Sequence, residues 1–378
     1  MNRDILLFRR GIRPRDLRSA GGKAERPLFL ALLVVSFSQT SADLDRGMTY
    51  FKAGKHVEAA AEFQSLVDHS NGYDYGFFML GNCFLKLGRL DEAEKSFRKA
   101  LELKAARFEY HHGLASAYLA QRRYAEALQV LAAAETLVDD GSRYAFHSLR
   151  GFALAAQENW RDAVTDLERS AALKVSPPVL NQLAKAYFGL GASDKAAQAL
   201  RQSLTLAPSD PQAWTLLAET LLDQAAAAAG EEDKRSLYVE ALRAAQRFQS
   251  TGAPGFEGAN LVGRAALGAG DIPLAEEALR QVLSAKPDHC YAMINLAKCA
   301  IAVEKWKDAE ARLTEASRCA PKLAVVPETL AFVYLKENRL RDSLEACRRA
   351  DALQSTPATQ RCVRDAGARL EQGGHRGE

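Results

Sequence analysis

The chain has 378 residues, 48% of them apolar and 26% charged, with a formal net charge of +3. That length is far above the size at which a core is marginal, and the composition is that of a water-compatible folded chain. The charge is uneven: residues 1–42 hold eight basic against three acidic residues, so 43–378 carry −2. A nucleic-acid-binding domain would need a basic stripe on its folded part, so nucleic acid is excluded as the main partner.

The first segment reads as an export signal. Arg3, Arg9, Arg10, Arg13, Arg15, Arg18, Lys23 and Arg26 form a long basic region, and the apolar run Leu28–Phe37 follows. This run is too short to span a bilayer and suits a signal-peptide core. Thr40-Ser41-Ala42 offers small residues for cleavage, with Asp43 placed to cap the first mature helix. Two other readings stay open: a start codon downstream of residue 1, or a segment retained as a short anchor. Membrane contact is expected through this segment alone. Arg9-Arg10 stands too far from the apolar run for a twin-arginine signal, and no Cys near the cleavage point suggests a lipoprotein.

From residue 43 onward one pattern recurs about every 34 residues, the period of a helix–turn–helix array. Its second half carries a small residue, at Ala59, Ala93, Ala127, Ala163, Ala196, Ala275, Ala309 and Ser343. One helical turn later stands a larger residue, at Phe63, Phe97, Leu131, Leu167, Leu200, Leu279, Leu313 and Cys347, so both lie on one helix face. Its first half pairs a small residue with a bulky one: Gly47 with Tyr50, Gly81 with Phe84, Ala115 with Tyr118, Ala184 with Tyr187 and Ala331 with Tyr334. Gly54, Gly88, Gly191 and Gly270 fall between the halves, where a positive φ is needed. Pro208, Pro287 and Pro321 close three copies, because proline cannot extend the helix before it.

This pattern resembles the tetratricopeptide repeat, with its W-x2-L-G-x2-Y first helix (helix A) and A-x3-F second helix (helix B). About nine copies start near 40, 74, 108, 144, 177, 211, 256, 290 and 324. The resemblance implies an all-α fold, a right-handed superhelical solenoid of helix pairs in which each repeat buries its apolar face on its neighbours. The expected organisation is a signal peptide at 1–42, an N-terminal block at 43–222, an insertion in the sixth repeat at 223–236 and a C-terminal block at 237–356. A capping helix at 357–371 and a disordered tail at 372–378 complete it. The insertion holds the run Ala225–Ala229 and the charged stretch Glu231–Arg235, with helix B expected to resume at Leu237-Tyr238; it reads as a lengthened helix pair, either a tolerated loop insertion or a functional hinge. The fourth copy departs from the motif at Leu154 and Glu158, where Tyr and Gly are typical.

Six cysteines lie beyond the signal: Cys83, Cys290, Cys299, Cys319, Cys347 and Cys362. None forms a C-x-x-C pair, so zinc and thioredoxin chemistry lack support. Cys83, Cys299 and Cys347 fall on packed faces, where the thiol serves as a small apolar group. Export permits disulfides, and antiparallel helices bring Cys290 and Cys319 together. That pairing is favoured over Cys347 with Cys362, and the redox state of the six stays open. His111-His112 and His289-Cys290 are adjacent pairs that point apart on a helix, with no third ligand in step. The glycines of 263–270 fall at repeat positions with no strand before them, so no phosphate loop is expected. Catalytic residues, cofactors and metals are therefore all expected to be absent.

By the resemblance, helix A of each repeat lines a concave groove. Its inner positions give Tyr75, Phe78 and Asn82, then His112, then Phe152, then Asn181 with Lys185, Asn260 with Arg264, and Asn295 with Lys298. Asn can pair with the amides of an extended peptide and a cation can hold a carboxylate, which resembles the carboxylate clamp of some family members. Equally open are Asn and Lys that merely solvate the groove, and aromatics that belong to the core. The expected function is an exported, non-catalytic adaptor for a protein or peptide partner, periplasmic or extracellular, with a bacterial envelope favoured. The alternative is an envelope scaffold for polysaccharide assembly, whose partner is a glycan. Cell fractionation should recover a shortened chain beginning near Asp43; a full-length cytosolic product would refute export.

Overall fold

The computed structural model describes residues 42–70, 72–252 and 255–374, and nearly all of them are helical or in the turns between helices. The expected signal segment up to residue 41 and the tail at 375–378 lie outside the described residues. Asp43 stands inside the first helical turn instead of before it, buried and paired with Arg46 at 2.5 Å and with Ser65. The described residues hold no strand, and no helix among them is long and apolar enough to cross a membrane.

The chain divides into two compact units, ending and starting at Gln157 and Glu158. The first holds α1 (42–52), α2 (His56–His69), α3 (Asp74–Lys86), α4 (Leu90–Leu103), α5 (Phe108–Ala120), α6 (Tyr124–Ala133) and α7 (Arg143–Ala156). The second opens on α8 (Trp160–Leu173). Five helix pairs follow: α9 (Pro177–Gly189) with α10 (Ser193–Leu206), α11 (Pro211–Ala227) with α12 (Glu231–Ser250), α13 (Glu257–Ala269) with α14 (Ile272–Ala285), α15 (Cys290–Ala302) with α16 (Trp306–Cys319), and α17 (Val325–Lys336) with α18 (Leu340–Leu353). The last helix is α19 (Pro357–Gly374), which runs past the expected end at 371. In each unit sequential helices pack on one another, so both are all-α solenoid segments.

The packing is set by size at a few positions. The Phe97 ring is fully buried between Gly81 of its own pair and Gly113 of the next. A Cβ added at Gly81 would meet that ring at 2.8 Å, and one at Gly113 at 2.5 Å. In the second unit Gly263 faces Leu279 in the same way, at 2.7 Å. These approaches let large side chains fill the space between helices at interior density.

The turns share one backbone solution. Gly54, Gly88, Gly191 and Gly270 are left-handed, with φ from 72° to 85°. Arg122, Glu158, Glu304 and Asn338 occupy the same turn position with φ of 57–61°. Glu158 thus takes the same left-handed φ without a glycine, and at Arg122, Glu304 and Asn338 the helices packed on either side impose a conformation the local residue disfavours.

The expected insertion at 223–236 is mostly helix. Its alanines extend α11 to Ala227, and the charged stretch forms the first turns of α12, not a loop. Alanine is the best helix former, and Glu231, Glu232 and Asp233 favour a helix N-terminus. This lengthened pair, 17 and 20 residues, lies inside the second unit.

Both candidate cysteine pairs are bridged: Cys290–Cys319 joins the ends of one helix pair, and Cys347–Cys362 ties α19 to α18. The second bridge, disfavoured from sequence, follows from α19 packing directly on α18. Cys83 and Cys299 stay free and buried; burial pushes their thiols up to about 12 and about 11.

Polar staples on the helix-B side reinforce the stacking. Glu94 accepts from Arg98 at 2.9 Å, from the Tyr118 phenol at 3.1 Å and from Arg123 at 2.6 Å. Arg98 also donates to the Tyr118 oxygen, Arg123 lies over the Tyr118 ring at 4.3 Å, and Glu126 pairs with Arg123. The same arrangement recurs in the second unit: Arg339 pairs with Glu310 at 2.8 Å and Asp342 at 2.7 Å, and stacks on Tyr334 at 4.2 Å. Gly113→Ala should destabilise the chain by about 1–3 kcal/mol, because the buried Phe97 ring cannot yield to the added methyl; denaturant unfolding measures it, and an unchanged midpoint would contradict the packing.

Candidate functional site

In the first unit the predicted inner positions sit on α3, α5 and α7. Tyr75, Phe78, Asn82, His112 and Phe152 are all half-buried. Phe78 packs against Tyr110 with ring centroids 5.0 Å apart, against Tyr75 at 5.9 Å and against Phe97 at 6.0 Å. The Tyr110 phenol donates to Asp74 at 2.8 Å. Tyr75 and Phe78 therefore brace the helices as much as they line a surface, which places them between the two readings the sequence left open. Burial lowers the His112 pKa, so its imidazole, beside Phe108 at 5.9 Å, is neutral near pH 7.

In the second unit the expected Asn ladder breaks up. Asn181 is buried, only 3% exposed, and both ends of its amide are engaged. It donates to Asp210 at 2.7 Å and accepts from Ser203 at 2.7 Å. Asp210 also accepts from the Gln212 N–H at 2.9 Å and so caps α11. Asn181 is thus a structural tie joining α9, α10 and α11, not a groove contact; a buried amide must be satisfied, and here the protein satisfies it. Asn260 is half-buried, with Oδ1 shut from solvent and without a hydrogen-bond partner among the described residues. Asn295 is half-buried one position further along its helix, because Ile294 takes the corresponding place in the core.

The cations behave differently. Lys185, Arg264 and Lys298 are all exposed, and none pairs with a carboxylate among the described residues. They occupy one position in their respective first helices. Arg264 and Lys298 stand one repeat apart on α13 and α15, which lie against each other. Glu219 takes that position on α11 and interrupts the row.

Three exposed aromatics join this side and were missed from sequence: Tyr291 (60% exposed), Phe332 (43%) and Phe188 (42%). Phe332 continues the row one repeat beyond Lys298, with Lys336 over its ring at 5.5 Å and Trp306 edge-on at 6.4 Å. The repeat spacing was the available signal. Applied to Lys298 it leads to Phe332 on the ninth copy, a copy from which no inner residue was taken. Among the described residues no group of three His, Cys, Asp or Glu is placed to hold a metal.

Tetratricopeptide-repeat models match residues 75–105, 177–220 and 266–326. Those three segments match the tetratricopeptide repeat. It is 29% identical over 150 residues to the BBSome complex member BBS4 of Bos taurus, across 39% of this chain and 28% of that one. The chain thus spans just over a quarter of the length of that curated relative. Among solved structures it is similar to a thermophilic tetratricopeptide-repeat protein of Thermus thermophilus (23% identity, TM-score 0.41, 48% of this chain and 99% of that one). A tetratricopeptide-repeat protein from Parabacteroides merdae is similar at 14% identity and TM-score 0.46, over 69% of this chain and 99% of that one. Repeats of this kind indicate a protein-interaction role.

Replacing Asn181 by Ala should cost about 1–3 kcal/mol of stability, since Ser203 and Asp210 lose a buried partner. Thermal and denaturant unfolding measure it, and an unchanged midpoint would return Asn181 to the binding surface.

Proposed function

We propose that this chain is an exported, non-catalytic adaptor that holds a protein or peptide partner along the exposed side of its first helices. The observation that carries the reading is Arg264 and Lys298 on adjoining helices, without a carboxylate partner among the described residues, with Tyr291 and Phe332 exposed on the same set of first helices. Cations that meet no carboxylate among the described residues are free to take one from a partner. Exposed aromatic rings add apolar contact area at low conformational cost. The partner of best fit is an extended segment with acidic and apolar residues.

The exposed rings also support the second reading, an envelope scaffold that stacks sugar rings during polysaccharide assembly. Salt dependence separates the two, because a cation-led peptide contact weakens as ionic strength rises and ring stacking does not.

Envelope proteins captured on the immobilised chain and identified by mass spectrometry provide the test. The double variant Arg264→Ala with Lys298→Ala should lose about tenfold in partner retention, from two lost charge-assisted contacts, at an unchanged thermal midpoint. Equal capture by variant and wild type would refute the site.

A further inference from the structure

The staple built on Glu94 has a second counterpart, and that one lacks its ring. Glu94, Arg98, Tyr118, Arg123 and Glu126 recur in the second unit, at identical mutual spacing, as Glu276, Arg280, Ala300, Lys305 and Asp308. Both charged ends are kept and the tyrosine alone is missing. A cavity of about 370 Å³ opens there, lined by all five of these residues with Leu296, Ala311, Arg312 and Glu315. It lies on the helix-B side, between α14 and α16 with α15 beneath.

The Tyr118 staple shows what such a space receives, and the Tyr334 staple, with Thr314 in the place of Arg98, repeats its ring. At Tyr118 the phenol donates to Glu94 and accepts from Arg98, while the Arg123 guanidinium covers the ring face. At Tyr334 the ring lies under Arg339 and beside Glu310. Burial, reinforced by the neighbouring glutamate, raises the pKa of both phenols and keeps them protonated as donors. In the incomplete staple Arg280 still pairs with Glu276 at 2.5 Å, so a donor and an acceptor wait where the phenol oxygen would sit. Ala300, 6% exposed, contributes only a methyl group where the other two staples place a ring.

We propose that this cavity binds a para-substituted phenol, with Leu296, Ala300 and Ala311 against the ring, Lys305 at its edge or face, and Glu276 with Arg280 on the hydroxyl. The cavity volume lies within the range of small-ligand sites. A site built to pair a hydroxyl discriminates against the analogue lacking it, because its own polar groups are then left unmatched. The phenol can come from the tyrosine of a partner chain or from a small free molecule; the chemistry is shared and the test separates the sources. This site is on other residues than the inner-face cations, so either can fail without the other.

The probes are 4-methylphenol, toluene, and the blocked tripeptides Ala-Tyr-Ala and Ala-Phe-Ala, titrated by NMR against the full mature chain. The expected result is saturable binding of 4-methylphenol, about tenfold weaker binding of toluene, and loss of that preference in Glu276→Gln. The tyrosine tripeptide binding as well as 4-methylphenol points to a partner chain, and binding of 4-methylphenol alone points to a small molecule. Ala300→Tyr gives a second readout: its ring should fill the cavity, raise the thermal midpoint and abolish 4-methylphenol binding. A lowered midpoint, undiminished binding in that variant, equal binding of toluene, or no binding to the wild type would each overturn the proposal.

Discussion

The structure depends on the closeness with which paired helices approach, and that closeness is set by missing side-chain volume. Phe97 has room only because Gly81 and Gly113 have none of their own to place there. Alanines at the small position of helix B, among them Ala59, Ala93, Ala196, Ala275 and Ala309, are fully buried for the same reason. A solenoid has no central core, so every pair must reach interior density on its own and with its neighbours. A register error of one residue would turn bulky side chains into these gaps, and so the repeat period is held through the helix pairs of both units.

Once the register is fixed, the outer polar groups inherit it. Glu, Tyr and Arg at set positions of successive repeats fall within hydrogen-bonding reach, and they clamp one pair onto the next. Exposed ion pairs contribute little singly, but a stacked guanidinium, a half-buried carboxylate and a phenol form a connected network. The same inheritance explains the cavity at Ala300: a repeat that keeps the network and lacks the ring leaves a hole of defined chemistry. It also explains the inner side, where Arg264 and Lys298 are aligned by the period and neither pairs with a carboxylate among the described residues.

The lengthened α11–α12 pair and the two disulfides modify this scheme without breaking it. The long helices absorb a segment that looks like an insertion by adding turns, which costs less than ordering a loop because each added residue gains a backbone bond. The bridges fasten the α15–α16 pair to itself and α19 to α18.

The residues alone were enough to place the helix pairs, their boundaries to within a few positions and the buried faces. All of these follow from a local period that repeats, and size alone at Ala93 or Phe97 reveals which face is inside. Lys185, Arg264 and Lys298 were legible as exposed cations on the same grounds. Asn181 was not legible as a buried tie between three helices, since its partners Ser203 and Asp210 are distant in sequence. Packing also had to settle that Glu304 and Asn338 adopt the glycine conformation, that the charged stretch after Gly230 is helix, and that Cys347 meets Cys362. In each of these cases the deciding force is a contact with another element. Periodicity tells a residue which side it faces; the identity of what it faces there exists only after the helices have stacked.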